Sequence, residues 1–345
     1  MLKKFTALLL TITTALSFAS CGSEKKRYEA EFLLLFDTVT TIVGYADSKE
    51  EFMEFSQLIY DELKEYHELY DIYNSYDGVN NLKTINDNAG NVPVKVDKRI
   101  IEMLTFAKEK YTQTGGKCNV AFGAVLEIWH LHRTQGINDP ENATLPSMAE
   151  LEEAAKHTDI NDLIIDEAAS TVYLADPDMS LDVGAVAKGY ATEQVCLSAM
   201  EQGYIGALVS VGGNVRAIGS KNGAPWNVGI QNPDTVSDKT MLHVVYLEGS
   251  SMVTSGDYER YYTVDGKRYH HIINPNTLYP ADYFTAVTML CDDSGMADVL
   301  STAVFCMPFE DGKKLIEEMA GTEAMWVLKD GEIRYSTGFE AKIKS

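Results

Sequence analysis

Residues 207–220 read ALVSVGGNVRAIGS, a strand, a Gly-Gly turn and a second strand. Further strand-like runs fill the C-terminal half of the chain, among them WNVGIQ from residue 226 and FTAVTML from residue 284. Two more are joined by Asp265-Gly266, a strong hairpin turn signal. Runs of strands flanked by helices predict a layered α+β fold with a largely antiparallel sheet.

The helical and strand patterns elsewhere agree with a single layered domain. TVTTIVGYA (38–46) is predicted to be a strand, and short strands are predicted in LIIDEAASTVYLADP from residue 163 and in SLDVGAV from residue 180. Apolar periodicity and glycine stops predict helices at 49–73, 98–116, 144–158, 186–202, 295–307 and 309–320. Because no repeat or linker divides the chain, residues 32–345 are expected to form one domain.

Composition restricts the partners. The chain has 345 residues, 45% of them hydrophobic, which is enough for a substantial core. It carries 29 Lys and Arg against 51 Asp and Glu, a net charge of -22. Such a charge repels phosphate backbones and anionic membrane surfaces, so nucleic acid is excluded as a partner. An anionic nucleotide substrate would require locally placed cations or a metal.

The N-terminus has the pattern of a lipoprotein leader. Lys3 and Lys4 precede an apolar run that is too short to span a bilayer, and SFAS leads to Cys21 as in a bacterial lipobox. We expect residues 1–20 to be a signal peptide and Cys21 the lipidated first residue of a linker over 21–31. The protein would then be anchored on the extracytoplasmic face of the cell membrane. Simple cleavage, with Cys21 a bystander, is the alternative.

The other cysteines have no metal-ligand spacing. We expect them to be small apolar core residues, although a disulfide is possible. They are Cys118, Cys196, Cys291 and Cys306.

The first candidate site is LDVGAVAKGYATEQ (181–194), which combines an acid, two glycines and a lysine at a predicted strand-to-helix junction. Such a junction points backbone N–H groups at an anion, and glycine permits close approach. Lys188 precedes Gly189, so this is not a P-loop. Glycine-bounded turns are also common packing devices, and both readings stay open here.

The second candidate is GMADVLSTAVFCM (295–307), a helix that is apolar almost all round and should be buried. Asp298 and Thr302 are four residues apart, on one face. A buried carboxylate needs a partner. That partner is either the Thr302 hydroxyl or a backbone group, or a hard cation held by oxygen ligands.

The third candidate is the hairpin VTSGDYERYYTVDGKRYHHIINP (253–275). His270 and His271 must point to opposite faces of its returning strand, so only one of them can face a site. An isolated histidine is more often structural, but the Asn-Pro that follows fixes the chain directly after this pair.

Taken together, these segments resemble the ApbE family of FAD:protein FMN transferases. The resemblance covers nearly all of the chain after the leader, including FDTVTTI, NNLKTIN, NVAFGAVLEIW, LDVGAVAKGYA, LVSVGGNVRAIG, TSGDYER, DGKRYHHIINP and ADVLSTAVF. It implies Mg2+-dependent cleavage of the FAD pyrophosphate, transfer of FMN to a Thr or Ser hydroxyl of a target protein, and release of AMP. The targets it implies are membrane or exported electron-transfer subunits.

The resemblance also implies roles for single residues. Asp298, Thr302 and the backbone oxygen of Ala185 match the metal ligands of the family, and Asp182 and Lys188 match contacts to the flavin nucleotide. His271 matches a histidine near the reacting phosphate and is our candidate catalytic base, the alternative being that it orients a phosphate oxygen. The FAD-contacting positions of the family match Phe36, Tyr76 with Tyr73 as a competing assignment, Lys117, Cys118 and Asn119.

The sequence departs from the family at three places. The usual Phe-Asp-Pro is Cys118-Asn119-Val120, the usual Asp-Pro after the histidine is Asn274-Pro275, and the usual Thr-Gly is Thr277-Leu278. These departures affect the implied FAD pocket more than the implied metal site. Two other functions stay open at this point: an Mg2+-dependent FAD pyrophosphatase that yields free FMN and AMP, and a flavin-binding lipoprotein without turnover.

Overall fold

The computed structural model of this protein describes residues 25–344. The predicted signal peptide (1–20) and Cys21 lie outside these residues. The strands are β1 (Lys26–Leu35), β2 (Thr38–Ala46), β3 (Val94–Lys95), β4 (Leu163–Asp166), β5 (Thr171–Leu174), β6 (Ala207–Val211), β7 (Asn214–Ile218), β8 (Trp226–Gln231), β9 (Met241–Leu247), β10 (Ser251–Gly256), β11 (Tyr261–Val264), β12 (Lys267–His270), β13 (Phe284–Cys291), β14 (Glu323–Leu328) and β15 (Ile333–Tyr335). The helices are α1 (Lys49–Tyr70), α2 (Leu82–Asp87), α3 (Lys98–Gln113), α4 (Gly123–Asn138), α5 (Met148–Ala154), α6 (Ala187–Glu201), α7 (Ser294–Phe305) and α8 (Phe309–Glu317).

Eight strands form the central sheet, in the order β1-β2-β6-β7-β10-β13-β14-β15. Every neighbouring pair in this sheet is antiparallel. The hairpins β8-β9 and β11-β12 and the three-stranded sheet β3-β5-β4 lie outside it. The predicted layered α+β fold with a largely antiparallel sheet is therefore confirmed.

The two faces of the sheet contribute to separate cores, as the alternation of side chains along a strand requires. In β13, Val287 and Met289 join the core that α1, α6 and α7 complete. Ala286 and Leu290 join the opposite core, together with Trp226 of the β8-β9 hairpin. This arrangement explains why β13 is apolar throughout: it is covered on both faces.

Helix α7 is buried between the sheet and α6, as its apolar sequence predicts. Its neighbours are β10 and β13 on one side and α6 on the other. Gly189 of α6 permits this packing, because a Cβ at that position would lie 2.4 Å from both the Cβ of Asp298 and the carbonyl oxygen of Ser294. Any side chain at position 189 would therefore push the two helices apart.

Four expectations from the sequence need correction. Strand β1 begins at Lys26, inside the expected linker (21–31), so the folded domain starts before residue 32. SLDVGAV (180–186) is a loop and turn rather than a strand. Helix α4 lies in a stretch for which no helix was predicted. The helix expected at 144–158 is shorter and begins after a capping box at Ser147.

The remaining expectations concern the cysteines and the membrane. Cys118, Cys196, Cys291 and Cys306 are buried and free, as small core residues would be. Within residues 25–344, no helix is both long and apolar enough to cross a membrane.

A third small core joins α4 and α5 to the β11-β12 hairpin, with Trp129 and Tyr262 among its members.

Candidate active site

The loop before α6 is held by one aspartate. Asp182 accepts a hydrogen bond from the Gly184 N–H (2.8 Å) through Oδ1, the Asx turn that aspartate commonly forms. The N–H of Asp182 itself donates to the Val120 carbonyl (2.9 Å). The loop is thereby fixed against the segment that follows Cys118. Two of the sequence-predicted nucleotide-binding stretches are thus neighbours.

Asp298 is the central charged residue of this region. Its side chain is buried, with 4% of the residue exposed. Its Oδ2 accepts a hydrogen bond from the Gly189 N–H (2.8 Å), and the Lys188 Nζ lies 3.9 Å from the same oxygen. The backbone partner expected for a structural carboxylate is therefore present. That bond occupies Oδ2, and a carboxylate has a second oxygen with which to ligate a cation.

The Ala185 carbonyl lies at the same helix start. In an uninterrupted helix the Gly189 N–H would donate to it, but here that N–H is bonded to Asp298. Within the described chain, no backbone N–H donates to the Ala185 carbonyl oxygen. Thr302 follows Asp298 by one turn of α7 and is half-buried. A carboxylate, a free carbonyl and a hydroxyl are the hard oxygen donors that suit Mg2+, so the residues present fit this ion.

Another group of possible metal ligands lies apart from this one. His157, Asp176 and Asp178 have ligand atoms within 4.8 Å of one another. The Nδ1 of His157 is already 2.7 Å from Asp176 Oδ2, and Asp176 Oδ1 accepts the Asp178 N–H. These contacts use the His157 and Asp176 side chains within the protein, and the predicted metal ligands are not part of this group.

The two adjacent histidines have different environments. His270 is buried and fully bonded: its Nε2 lies 2.8 Å from the Ala281 carbonyl, and its Nδ1 accepts the Ile272 N–H (3.2 Å). His271 follows the last residue of β12, and its Nδ1 is buried without a partner among the described residues. The hairpin turn is as predicted, with positive φ at both Asp265 and Gly266. His270 is the structural histidine of the pair.

Cationic side chains surround His271. Burial, followed by the nearby charge of Arg260 and of further basic groups that include Arg133 and Lys188, lowers the pKa of His271 to about 3. Its imidazole is therefore neutral at pH 7 in the absence of an anionic ligand. The same cations supply the local positive field that an anionic substrate requires in a chain of net charge -22.

Phe36 and Tyr76 are joined through a histidine that the sequence did not single out. The Phe36 N–H donates to His67 Nδ1 (3.3 Å), which leaves the proton of a neutral ring on Nε2, 3.3 Å from the Tyr76 hydroxyl. The Tyr76 hydroxyl donates to Asp71 (2.8 Å). Phe36 has a positive φ of 52° in the β1-β2 turn. The backbone N–H of Phe36 and the hydroxyl of Tyr76 thus belong to one hydrogen-bonded unit centred on His67.

The competing aromatic residue, Tyr73, belongs to the other part of the site. Its hydroxyl lies 3.1 Å from His130 Nδ1, and its ring is largely exposed. Although 59% of the residue is exposed, desolvation around its hydroxyl, followed by the nearby charge of Asp182, raises the pKa of Tyr73 to about 12. Tyr73 therefore lies on the side of the loop before α6, whereas Tyr76 lies beside Phe36.

The sequence did not predict the contributions of His67, His130, Arg133 and Arg260. His130 and Arg133 are three residues apart on α4, and that spacing was their only sequence signal. Burial lowers the pKa of both side chains, and the nearby negative charge of Asp182 partly opposes this shift. They become part of the site only because α4 packs against the β11-β12 hairpin.

The segment from Lys117 to Asn119, which the resemblance predicts to contact FAD, directs much of its side-chain surface into the protein. Cys118 is buried, and its pKa is raised by burial and by the nearby charge of Asp298. Asn119 uses both ends of its amide within the protein: Nδ2 donates to the Thr158 carbonyl (2.9 Å) and Oδ1 accepts the Ala121 N–H (2.9 Å). The Asn119 side chain therefore has a structural role. Lys117 is half-buried at the start of this run.

The other two departures also have structural explanations. Asn274 is buried, donates from Nδ2 to the Cys306 carbonyl (3.2 Å), and accepts the Asn276 N–H (3.0 Å). A carboxylate could accept the second bond but could not donate the first. Leu278 has a φ of 60°, so it keeps the left-handed backbone for which glycine is the usual residue.

Comparison with known proteins agrees with this geometry. The model described as the ApbE family matches residues 36–326. A protein named FAD:protein FMN transferase from Treponema pallidum (strain Nichols) is 34% identical over 278 residues, which is 76% of this chain and 75% of the relative. A protein of the same name from Haemophilus influenzae is 27% identical and covers 100% of this chain and 97% of its own.

Solved structures show the same fold. The crystal structure of the ApbE protein from Thermotoga maritima has a TM-score of 0.79 and 32% sequence identity, and covers 93% of this chain and 100% of its own. The flavinyl transferase ApbE from Pseudomonas stutzeri, in its apo form, has a TM-score of 0.75 at 23% identity, with 93% and 98% covered. The family match and these likenesses extend over the described domain, and this chain belongs to the ApbE family.

Proposed function

We propose that this protein is an Mg2+-dependent FAD:protein FMN transferase that moves FMN to a Ser or Thr hydroxyl of a target protein and releases AMP. The observation that carries the metal-dependent part is the buried Asp298 carboxylate, which accepts the Gly189 N–H and so leaves the Ala185 carbonyl without that donor, with the Lys188 Nζ 3.9 Å away. The names of the related proteins supply the reaction. Asp298, Thr302 and the Ala185 carbonyl would hold Mg2+, which when bound supplies charge neutralisation at the pyrophosphate.

The residues of this chain account for the other parts of the reaction. The target hydroxyl attacks the phosphorus on the FMN side of FAD, an O–P bond forms to FMN, and the P–O bond to AMP breaks. In this proposal His271 takes the proton of the attacking hydroxyl once the phosphates of FAD offset the neighbouring cations, and its alternative role is to orient a phosphate oxygen. Lys188, Arg133 and Arg260 hold the negative charge of the phosphates.

The flavin end of the substrate lies toward the β1-β2 turn in this proposal. Phe36 and Tyr76 supply aromatic surface there, and the His67 and Asp71 contacts fix the Tyr76 hydroxyl. Aromatic side chains bind flat ligands with little loss of side-chain entropy because they have few rotatable bonds. The nucleotide end lies toward Asp182 and Lys188, at the N-terminus of α6.

Incubation with FAD, Mg2+ and a candidate acceptor protein, followed by mass measurement of both proteins, tests the proposal. We expect the acceptor to gain FMN that stays attached after denaturation, and Asp298→Ala to abolish that gain without unfolding the protein, although loss of the bond to the Gly189 N–H lowers its melting temperature. Asp292→Ala, at an exposed acid two residues before α7, is the matched control and should transfer normally. Transfer by Asp298→Ala at the wild-type rate would refute the metal assignment.

The same assay separates the two alternatives. Free FMN and AMP in equal amounts, with an unmodified acceptor, would identify an FAD pyrophosphatase that uses water in place of the protein hydroxyl. FAD recovered intact after long incubation with Mg2+ would identify a flavin-binding protein without turnover.

For location, we propose a lipid anchor at Cys21 on the extracytoplasmic face, with a membrane or exported electron-transfer subunit as the target. Support comes from the leader pattern of residues 1–20 and from the lipobox-like SFAS before Cys21. Cys21→Ala should release the protein from the membrane fraction in cell fractionation. Retention of that variant on membranes would contradict the anchor.

A further inference from the structure

Two hydrogen bonds, one helical turn apart, join α6 to α7. Gly189 and Glu193 are four residues apart on α6, and Ser294 and Asp298 are four residues apart on α7. Asp298 of α7 accepts the Gly189 N–H (2.8 Å) at the start of α6. In return, Glu193 of α6 accepts the Ser294 N–H (2.7 Å) at the start of α7. Each helix therefore caps the N-terminus of the other with a carboxylate.

Glu193 is itself held by a buried arginine of the central sheet. Arg216 of β7 donates to Glu193 through Nε (2.9 Å) and Nη2 (3.0 Å), a two-point contact. Its Nη1 donates to the Ala217 carbonyl (2.9 Å). Glu193 and Arg216 are 4% and 5% exposed, so neither charge is solvated. The sheet thus fixes Glu193, and Glu193 fixes the start of α7.

This arrangement has a consequence for Asp298. Apolar packing already holds α7 between the sheet and α6, and the Gly189 contact fixes one polar point of the helix pair. The Glu193 contact fixes a second point one turn away, about 5.4 Å along the helix. Two fixed points define the rotation of α7, and with it the placement of Asp298 and Thr302 relative to the start of α6. Misplacement of a catalytic geometry by about 1 Å can cost roughly 10²-fold in rate.

We propose that Glu193, held by Arg216, is a positioning residue that sets α7 against α6 and thereby holds Asp298 and Thr302 in register with the Ala185 carbonyl. The inference rests on the proposed function, because it assigns Glu193 a role in the metal site suggested there. Neither Glu193 nor Arg216 touches the substrate in this role. Partners that orient metal ligands typically change metal affinity by about 10–100-fold when they are replaced.

Glu193→Gln is the test variant because it keeps the size of the side chain. The site requires acceptors at both ends of the carboxylate, whereas an amide has one acceptor and one donor group. If its oxygen accepts the Ser294 N–H, its NH2 faces the Nη2 of Arg216, donor against donor. Ser198→Ala is the matched control: it removes a bond from α6 to Glu62 (2.6 Å) that does not involve α7.

The readout is Mn2+ affinity in the absence of FAD, measured by electron paramagnetic resonance, together with hydrogen exchange of the peptide that contains Gly189. We expect Glu193→Gln to weaken Mn2+ binding by about 10-fold or more and to speed exchange at Gly189. Ser198→Ala should leave both unchanged. If Glu193→Gln does not fold, Arg216→Lys, which removes the two-point contact, should give the same pair of changes.

The outcomes distinguish this inference from the proposed function. Mn2+ binding that Asp298→Ala abolishes but Glu193→Gln and Arg216→Lys leave at wild-type strength would overturn the positioning role alone. Mn2+ binding that Asp298→Ala leaves intact would overturn the metal site and this inference with it. A loss of stability in Glu193→Gln with unchanged Mn2+ affinity would show that the Glu193–Arg216 pair is structural only.

Discussion

The Asp298 carboxylate and the Gly189 N–H form a 2.8 Å hydrogen bond between two helices that are far apart in the sequence. The bond satisfies an N–H that has no partner within its own helix. It also diverts that N–H from the Ala185 carbonyl, which stays free for another ligand. This one contact fixes the crossing of α6 and α7. It also leaves two oxygens available to a cation: the second carboxylate oxygen of Asp298 and the carbonyl oxygen of Ala185.

Gly189→Ala should disturb the α6–α7 crossing, and with it the oxygens of Asp298 and Ala185, while the rest of the fold is kept. Its new Cβ would lie 2.4 Å from Asp298 Cβ and from the Ser294 carbonyl oxygen, so the helices must move apart. We expect a loss of about 1–3 kcal/mol in the free energy of unfolding, measured in urea, and a large loss of FMN transfer. The control is Gly312→Ala in α8, where the nearest atom to a new Cβ is 3.3 Å away. Equal behaviour of both variants would contradict the prediction.

The pH dependence of stability should reveal the neutral state of His271. Its pKa is lowered to about 3 by burial and neighbouring cations, whereas an unfolded histidine titrates near 6.5. Between these values the unfolded chain binds the proton and the folded chain does not. The contribution of His271 to stability is thus complete above about pH 6.5 and is lost as the pH falls toward 3.

The measurement is urea unfolding from pH 7 to pH 4 for the wild type and His271→Gln. The wild type should lose more stability than the variant as the pH falls, because the variant lacks the titrating group. Parallel curves for the two proteins would show that the pKa of His271 is not lowered.

Asn274→Asp should destabilise the protein at neutral pH although it restores the acid usual in the family. The aspartate would place a carboxylate against the Cys306 carbonyl, to which the Asn274 amide now donates. Leaving a buried polar group unsatisfied costs about 1–3 kcal/mol, and more when a charge is involved. Asn276→Asp, at an exposed position nearby, is the control. The measurement is thermal unfolding at pH 7. Equal melting temperatures for Asn274→Asp and Asn276→Asp would contradict the prediction.

Comparison of Tyr76→Phe with Tyr73→Phe should identify the tyrosine whose hydroxyl contacts shape the flavin pocket. The Tyr76 hydroxyl is bonded to Asp71 and lies next to His67, and Asp71 also accepts the N–H groups of Tyr73 and Asn74. Loss of the Tyr76 hydroxyl should weaken FAD binding about 3- to 10-fold, in proportion to one hydrogen bond of roughly 1 kcal/mol. Tyr73→Phe should have a smaller effect. Fluorescence titration with FAD measures both, and the reverse order would favour Tyr73.

Much of the fold could be predicted because its pattern is local. The long amphipathic helix α1 and the strand β2 follow from apolar spacing alone. Strand β1 was assigned in part to a linker because charged residues follow Cys21, yet Tyr28, Ala30 and Phe32 are buried in strict alternation. That period-2 signal was present in the sequence and was outweighed by the charges. Helix α4 has weak amphipathicity, so no periodicity marked it.

The residues of the candidate site also fall into two groups: those that a local sequence pattern reveals and those that only tertiary contacts reveal. Asp298 and Thr302 could be found from sequence because a carboxylate and a hydroxyl four residues apart on an apolar helix are conspicuous. Arg133, Arg260 and the Glu193–Arg216 pair could not, because each gains its role from a contact between segments distant in the chain. Asn119 was expected to touch FAD, but the structure shows its amide bridging Thr158 and Ala121. Only tertiary packing shows where such a side chain points.

The position of the first strand also limits where the enzyme can work. Strand β1 is the outer strand of the sheet and begins at Lys26, five residues after the proposed anchor at Cys21. A fully extended chain of five residues reaches roughly 18 Å, so the tether is short compared with the domain. With the proposed anchor in place, the acidic protein would be repelled by anionic headgroups but held close to them. An anchored enzyme of this kind would sweep only a thin layer above the bilayer, and its acceptor hydroxyls would have to enter that layer to be modified.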